Sequence, residues 1–187
     1  MKRQKEIMAS SGGFSLAETL AAILILLMVS GIVAEGMPVA VKALDAIMET
    51  ANAQLLLSTT MTALREELST ASDIIVNSDD HSISYKNEWG LVSKISLGGT
   101  GKSIQLQQSK SYGGALGEQL PLVSDETASK SRKTDEPVLY VAYGNASFDN
   151  TGIIKFTDLE AKRVDNDNSV VKIDEYPVRV VGYVTTP

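Results

Sequence analysis

Residues 16–34, LAETLAAILILLMVSGIVA, form an apolar run of 19 residues with a single charged side chain, Glu18. An α-helix rises 1.5 Å per residue, and about 20 residues cross the hydrocarbon core of a bilayer. The run therefore predicts a helix that can span a membrane. The preceding residues 1–13 carry three basic side chains against one acid, and this bias predicts an N-terminus that stays in the cytoplasm.

Glu18 is the residue that a plain membrane anchor does not explain. An ionised side chain inside hydrocarbon costs about 2.5–3.5 kcal/mol on insertion scales. The helix dipole favours an acid in the first turn, and a nearby positive charge would offset the cost of burying the carboxylate further.

Residues 12–20, GGFSLAETL, resemble the class III signal of type IV pilins and type II secretion pseudopilins. In that family a short basic leader ends in glycine, the next residue is usually phenylalanine, and the fifth residue after the cut is glutamate. Gly13, Phe14 and Glu18 occupy those positions here, and Ser15-Leu16 replaces the usual Thr-Leu. The resemblance covers residues 1 to about 40 of this chain.

The resemblance implies cleavage between Gly13 and Phe14 by a prepilin peptidase, and N-methylation of Phe14. It also implies that Glu18 sets the register of one subunit on the next. The new α-amino group of Phe14, with an ordinary pKa of about 7.7–8.0, can pair with Glu18 of a neighbour, and either charge is penalised when left unpaired. The implied partners are the prepilin peptidase, other pilin or pseudopilin subunits in a helical filament, and an assembly platform in the cytoplasmic membrane. The subunit would lie in the lipid bilayer before assembly, as a single-pass protein with its head outside, and then in an extracellular or periplasmic filament. Such a minor pilin or pseudopilin is a structural subunit without enzymatic activity or cofactor.

Two other readings of the N-terminus stay open. Ile32-Val33-Ala34 is an acceptable small-x-small site, so an ordinary signal peptide could be cut after Ala34. Alternatively, residues 16–34 form an uncut anchor, with Glu18 at the level of the lipid headgroups. Either reading predicts an extracellular binding protein, secreted in the first case and membrane-anchored in the second, and neither gives Glu18 a role in assembly.

Helical periodicity continues beyond the apolar run. Apolar or small side chains recur in steps of three and four, at Val41, Leu44, Met48, Ala51, Leu55, Ser58, Met61, Leu64, Leu68, Ala71 and Ile75. Gly36 and Pro38 interrupt the pattern, and a kink or short melted stretch is predicted there because proline removes a helix hydrogen bond. The sequence thus predicts a transmembrane helix over residues 14–37, which the resemblance places in a filament core, and its amphipathic continuation over residues 38–76. An uninterrupted coiled coil is the alternative.

Residues 77–187 are predicted to form a β-rich globular head. Strand-forming residues alternate or cluster between turn signals in residues 82–86, 91–97, 103–108, 138–143, 152–156 and 178–184, and more weakly in residues 170–173. Strands so close in sequence favour antiparallel hairpins, and a long helix packed on such a sheet gives an α+β fold. The resemblance implies that this fold is pilin-like, since pilins also place the helix first and the sheet after it. Residues 110–137 are predicted to form a long variable loop. Trp89 is expected to pack between helix and sheet.

Several short motifs are weaker signals of function. Residues 98–103, GGTGKS, end like a phosphate-binding loop, but Ser96 stands where that motif needs glycine, so a hairpin turn is predicted. Residues 165–169, DNDNS, alternate their acids as calcium loops do, but Val170 replaces the glycine at the sixth position. A solvated turn is predicted there, with calcium binding as the alternative. His81 is the only histidine and is expected at the surface.

Composition narrows the classes of function. The chain has no cysteine, which excludes both disulfides and thiolate metal sites. Its formal net charge of −6 argues against a nucleic-acid-binding surface, which needs a basic stripe. Removing residues 1–13 deletes three basic residues and one acid, which brings the charge from −6 to −8. This charge suits a soluble head outside the cell.

Overall fold

The fold is α+β, with one long N-terminal apolar helix followed by antiparallel β-sheets in the part of the chain that the structure describes. The computed structural model describes residues 15–98, 103–124, 138–149 and 151–181. They form the helix α1 (Leu16–Ser69) and the strands β1 (Ser72–Val76), β2 (Ile83–Lys86), β3 (Val92–Leu97), β4 (Ile104–Gln108), β5 (Leu120–Pro121), β6 (Leu139–Ala142), β7 (Asn145–Phe148), β8 (Ile153–Arg163) and β9 (Ser169–Arg179). The chain divides into two compact units, Met1–Ala46 and Ile47–Pro187.

The described residues of the first unit belong almost entirely to α1. All large apolar side chains from Leu16 to Val33 are more than half exposed, and by length and composition the helix can cross a membrane. The helix is continuous through Gly36 and Pro38, so no melted stretch is present, and the kink stays a prediction.

In the second unit, α1 contributes one face to the core of the head. The buried residues of this face are Ala53, Leu56, Leu57, Thr60, Leu64 and Leu68. The predicted stripe was therefore right at Leu64 and Leu68 but wrong at Leu55, which is 58% exposed. Residues 55–57 are three consecutive leucines. A spacing of three and four residues can start from any of them, so the spacing alone does not show which leucine faces the core.

The helix ends at Ser69 rather than at residue 76, which corrects the predicted boundary. Residues 72–76 instead form β1, in which Ile75 pairs with Ser84 and Val76 with Ile83 of β2. Pairing with β2 satisfies the backbone of these β-branched residues, and this tertiary contact overrides a helical pattern that was continuous in sequence.

The first sheet contains five antiparallel strands in the order β1-β2-β3-β4-β5. Ile83 lies opposite Ile95, and Ile95 opposite Leu106, so these positions place apolar side chains on one face. The Gly98 amide donates to the Ser103 carbonyl at 2.8 Å where β3 is connected to β4. That contact fits the predicted hairpin, although residues 99–102 lie outside the described residues.

The second sheet is built around β8, which pairs with β6 and β7 on one side and with β9 on the other. β8 extends well beyond the predicted residues 152–156, and β9 joins the weak candidate 170–173 to the start of 178–184 in one strand. The short strands β5 and β7 were not predicted. β5 lies within the predicted loop 110–137, of which residues 125–137 are outside the described residues.

One hydrophobic core joins the buried face of α1 to both sheets. Its largest fully buried side chains include Tyr85 of β2, Phe156 of β8 and Leu64 of α1. The Tyr143 and Phe156 rings meet edge to face, with 5.2 Å between their centroids. Trp89 is absent from this core because its side chain is 69% exposed on a turn, so the expectation that it packs there was wrong.

Candidate functional site

The candidate site is the beginning of the apolar helix, where Ser15 and Glu18 form a reciprocal cap. The Ser15 amide donates to Oε2 of Glu18 at 3.0 Å, and the Glu18 amide donates to Oγ of Ser15 at 3.2 Å. This is a capping box, which satisfies backbone amides that the first turn of a helix leaves without partners. The pattern Ser-x-x-Glu before an apolar run predicts it, and sequence reasoning missed the role of Ser15.

The cap also fixes where the Glu18 carboxylate lies. Glu18 is exposed, in the first turn, where the positive end of the helix dipole favours an anion. Among the described residues, no basic side chain lies within ion-pair distance of it. The site can therefore pair with a cation that approaches the helix start, while one carboxylate oxygen stays bonded to Ser15.

The other predicted site residues lie elsewhere or cannot be placed. Gly13 and Phe14, the predicted cleavage pair, are outside the described residues. Gly36 and Pro38 lie on the same helix as Glu18, five turns or more along it, which is about 27–30 Å at 1.5 Å per residue. The structure thus brings Glu18 together with Ser15 but not with the predicted kink.

Around Pro38, α1 has an apolar groove within the first unit. It lies on one side of the helix and is lined by Val29, Val33, Met37, Pro38 and Val41, with Ser30, Ala34 and Lys42 at its borders. The hydroxyl of Ser30 donates to the Leu26 carbonyl at 2.7 Å, so the polar group in this apolar stretch is satisfied within the helix.

Three polar contacts attach the head to the part of α1 that lies in the second unit. Glu49 of α1 pairs with Arg163 of β8 through two parallel hydrogen bonds. The Tyr85 hydroxyl donates to a Glu67 carboxylate oxygen at 2.9 Å. The Tyr176 hydroxyl donates to the Met61 carbonyl at 2.8 Å. Each contact joins residues far apart in sequence, so sequence periodicity could not predict it.

Two ionisable side chains of the head, Tyr85 and Asp80, have shifted pKa values. Burial, and then the neighbouring Glu67 carboxylate, raise the pKa of Tyr85. Hydrogen bonds from Ser82, and then from Lys94, lower the pKa of Asp80 to about 2. Both groups keep their ordinary neutral-pH charge, so these shifts indicate structural contacts rather than acid–base chemistry.

A cavity of about 290 Å³ lies in the head between Leu56 of α1 and strands β4 to β6. Its lining contains hydroxyl and amide groups but no charged side chain. The Tyr140 hydroxyl at its border donates to Asp167 at 2.8 Å. The cavity can hold a small apolar group, but its walls carry no pair of groups for acid–base or nucleophilic chemistry.

Two of the weaker sequence signals, residues 165–169 and His81, lie in the described residues. Residues 165–168 are exposed between β8 and β9, and no three His, Asp or Glu side chains of the described chain are arranged to hold a metal ion. His81 Nδ1 lies 3.1 Å from Oδ1 of Asn145, and the His81 carbonyl accepts a hydrogen bond from Tyr143. His81 therefore connects the β1–β2 turn to the second sheet.

No protein-family model, curated protein or solved structure matches this chain. Fold and site together define a class of protein. Its members have an antiparallel α+β head that follows an apolar helix able to cross a membrane, and an acidic residue in the first turn of that helix forms part of the N-terminal cap.

Proposed function

We propose that this chain is a non-enzymatic subunit, a minor pilin or pseudopilin, of a type IV pilus or type II secretion-like filament. The observation that carries the proposal is the exposed Glu18 carboxylate in the first turn of α1, where it is the one charged side chain of the apolar run 16–34. A membrane anchor would use Glu18 only to cap the helix start, whereas a filament also gains a fixed register if a neighbouring amine pairs with the carboxylate.

In this proposal the chain first lies in the cytoplasmic membrane with its N-terminus in the cytoplasm. Prepilin peptidase cuts between Gly13 and Phe14, and Phe14 is then methylated on its new amine. An assembly platform moves the subunit into a helical filament, where the apolar side chains of α1 exchange lipid for neighbouring helices. Glu18 pairs with the Phe14 amine of a neighbour, and the head lies outside the filament core.

The first experiment is to determine the N-terminus of the mature protein from its native host by intact mass and terminal sequencing. The expected result is a start at Phe14 with one additional methyl group. A start at Glu35 would identify an ordinary secreted protein, and an uncut Met1 an anchored one. Either result contradicts the proposal.

The second experiment separates the charge of Glu18 from its capping role. Glu18→Gln removes the charge but keeps a side chain that can accept the Ser15 amide, Glu18→Ala removes both, and Ser15→Ala weakens only the cap. We expect both Glu18 variants to remain in the membrane fraction and to lose surface filaments, measured by immunoblotting of sheared fibres. Ser15→Ala should still assemble.

Normal assembly of Glu18→Gln would contradict the register role, because the charge would then be dispensable. Loss of assembly in Ser15→Ala as well as in the Glu18 variants would assign the site to helix capping alone. The membrane fraction serves as the control for insertion, which none of the three substitutions should reduce, since each one removes polarity or leaves it unchanged.

A further inference from the structure

Two exposed aromatic side chains lie on neighbouring turns at one end of the first sheet. Trp89, on the turn between β2 and β3, is 69% exposed, and Tyr112, on the turn that follows β4, is 80% exposed. The Ser109 amide donates to the Val92 carbonyl at 2.8 Å, which holds the second turn beside the first. The Tyr112 ring packs on Gly90, with Cε2 3.0 Å from the position a Cβ would take there.

The first turn is held by the side chain of Asn87. Its Oδ1 accepts hydrogen bonds from the amides of Trp89 and Leu91 at 3.1 and 3.0 Å. The Asn87 amide donates to the Leu91 carbonyl, and Asn87 itself is only 6% exposed. Gly90 has a φ of +72°, a conformation that suits glycine. The backbone that carries Trp89 is therefore held in one conformation, and binding would order few additional backbone torsions.

The second turn is equally constrained. The Gly114 amide donates to the Ser111 carbonyl at 3.0 Å, and Gly113 has a φ of +70°. A Cβ at Gly114 would lie 2.5 Å from Oγ of Ser111, so the turn depends on glycine. The face of Tyr112 that does not contact Gly90 is thus held toward solvent. Two aromatic side chains that extend from constrained turns and stay mostly exposed need an explanation.

The surroundings of these rings are polar. Apart from Trp89 and Tyr112, residues 87–90 and 110–114 are polar, charged or glycine, and Glu88 and Lys110 are exposed. Lys86, paired with Asp73 at 2.6 Å, lies within electrostatic reach of the Tyr112 hydroxyl. The core of a protein–protein interface is depleted of charged residues, whereas the exposed Glu88 and Lys110 flank these rings. A single-stranded nucleic acid needs a basic groove, but the chain has a net charge of −6.

We infer that these two turns bind a neutral pyranose oligosaccharide, with sugar rings stacked on Trp89 and Tyr112. A pyranose has an apolar face of C–H groups, which fits the negative face of an aromatic ring, and a rim of hydroxyl groups. The carboxylates and ammonium groups around the rings can accept from and donate to that rim. This site is separate from the helix start, so its test is independent of filament assembly.

The test uses the fluorescence of Trp89, which is the only tryptophan of the chain. The full-length protein is kept in a polyoxyethylene detergent without a sugar headgroup and titrated with cellohexaose and with chitohexaose. We expect a saturable shift of the emission to shorter wavelength with at least one of them. Tyr112→Ala should weaken this binding about tenfold, the loss expected for one aromatic contact. Leu120→Ala, which truncates an exposed apolar side chain outside the turns, should bind normally.

Calorimetry then tests Trp89 itself, since its substitution removes the fluorophore. Trp89→Ala should weaken binding about tenfold, and Trp89→Phe should restore most of it because the ring face is kept. Absence of a saturable response to both oligosaccharides overturns the inference. Unchanged affinity in Tyr112→Ala also overturns it, as does a saturable response to oligothymidylate in place of the sugars.

Discussion

Tyr85 provides the most direct test of how the head is attached to α1. Its side chain is fully buried, and its hydroxyl donates to the Glu67 carboxylate at 2.9 Å. Hydrogen bonds to charged groups contribute about 1.5–3 kcal/mol each. We therefore expect Tyr85→Phe, which removes only the hydroxyl, to lower the free energy of unfolding by about 2 kcal/mol.

The assay is thermal unfolding of the full chain in detergent, followed by near-ultraviolet circular dichroism. For chains of 150–250 residues, 1 kcal/mol shifts Tm by about 2–4 °C, so Tyr85→Phe should lower Tm by about 4–8 °C. Tyr176→Phe loses a bond to the neutral Met61 carbonyl, worth about 1 kcal/mol, and should lower Tm about half as much. Tyr112→Phe is the matched control on an exposed ring and should leave Tm unchanged.

A Tm for Tyr85→Phe equal to that of Tyr112→Phe would refute the reasoning, because the buried bond would then contribute nothing. The dependence of stability on pH in the alkaline range gives a second check. Folding raises the pKa of Tyr85 above its ordinary value of about 10, so the unfolded chain loses this proton first. Stability should therefore fall as pH rises above about 10, and this fall should be smaller in Tyr85→Phe.

Three further predictions concern the head. Leu64→Ala truncates a fully buried leucine and should cost about 2–5 kcal/mol in the same thermal assay. The Ser82 hydroxyl helps to lower the pKa of Asp80 to about 2, so its stabilising effect is present above about pH 4 and is lost as pH falls toward 2. Asp80→Asn should reduce that acid loss in a pH series of melts. Gly90→Ala forces a side chain into a φ of +72° and should cost about 1 kcal/mol, measured by Tm.

Each of these predictions has a clear contrary result. Leu55→Ala, on the exposed side of α1, should change stability by less than about 0.5 kcal/mol, and a cost equal to that of Leu64→Ala would mean the buried face is wrongly assigned. An unchanged acid limb in Asp80→Asn would mean that the contact with Ser82 does not stabilise the fold. A neutral or stabilising Gly90→Ala would show that the turn tolerates another conformation.

The sequence determined the features that repeat within one segment. The apolar run of 19 residues that includes Glu18 predicted a helix able to cross a membrane, and the change of period after residue 76 predicted an antiparallel α+β head. Both are confirmed in the described residues. The pattern Ser15-x-x-Glu18 also contained the helix cap, since a capping box is a contact within one turn.

Only the tertiary structure decided which of these side chains meet. The three leucines 55–57 are alike in sequence, and the sheets behind them select Leu56 and Leu57 for the core while Leu55 stays exposed. Residues 72–76 continue a helical pattern but form a strand because β2 is available to pair with them. Trp89 lies outside the core because Asn87 and Gly90 close a tight turn beneath it. Local periodicity records the polarity of a segment, but contact energies between distant residues select the face, the boundary and the exposed side chain.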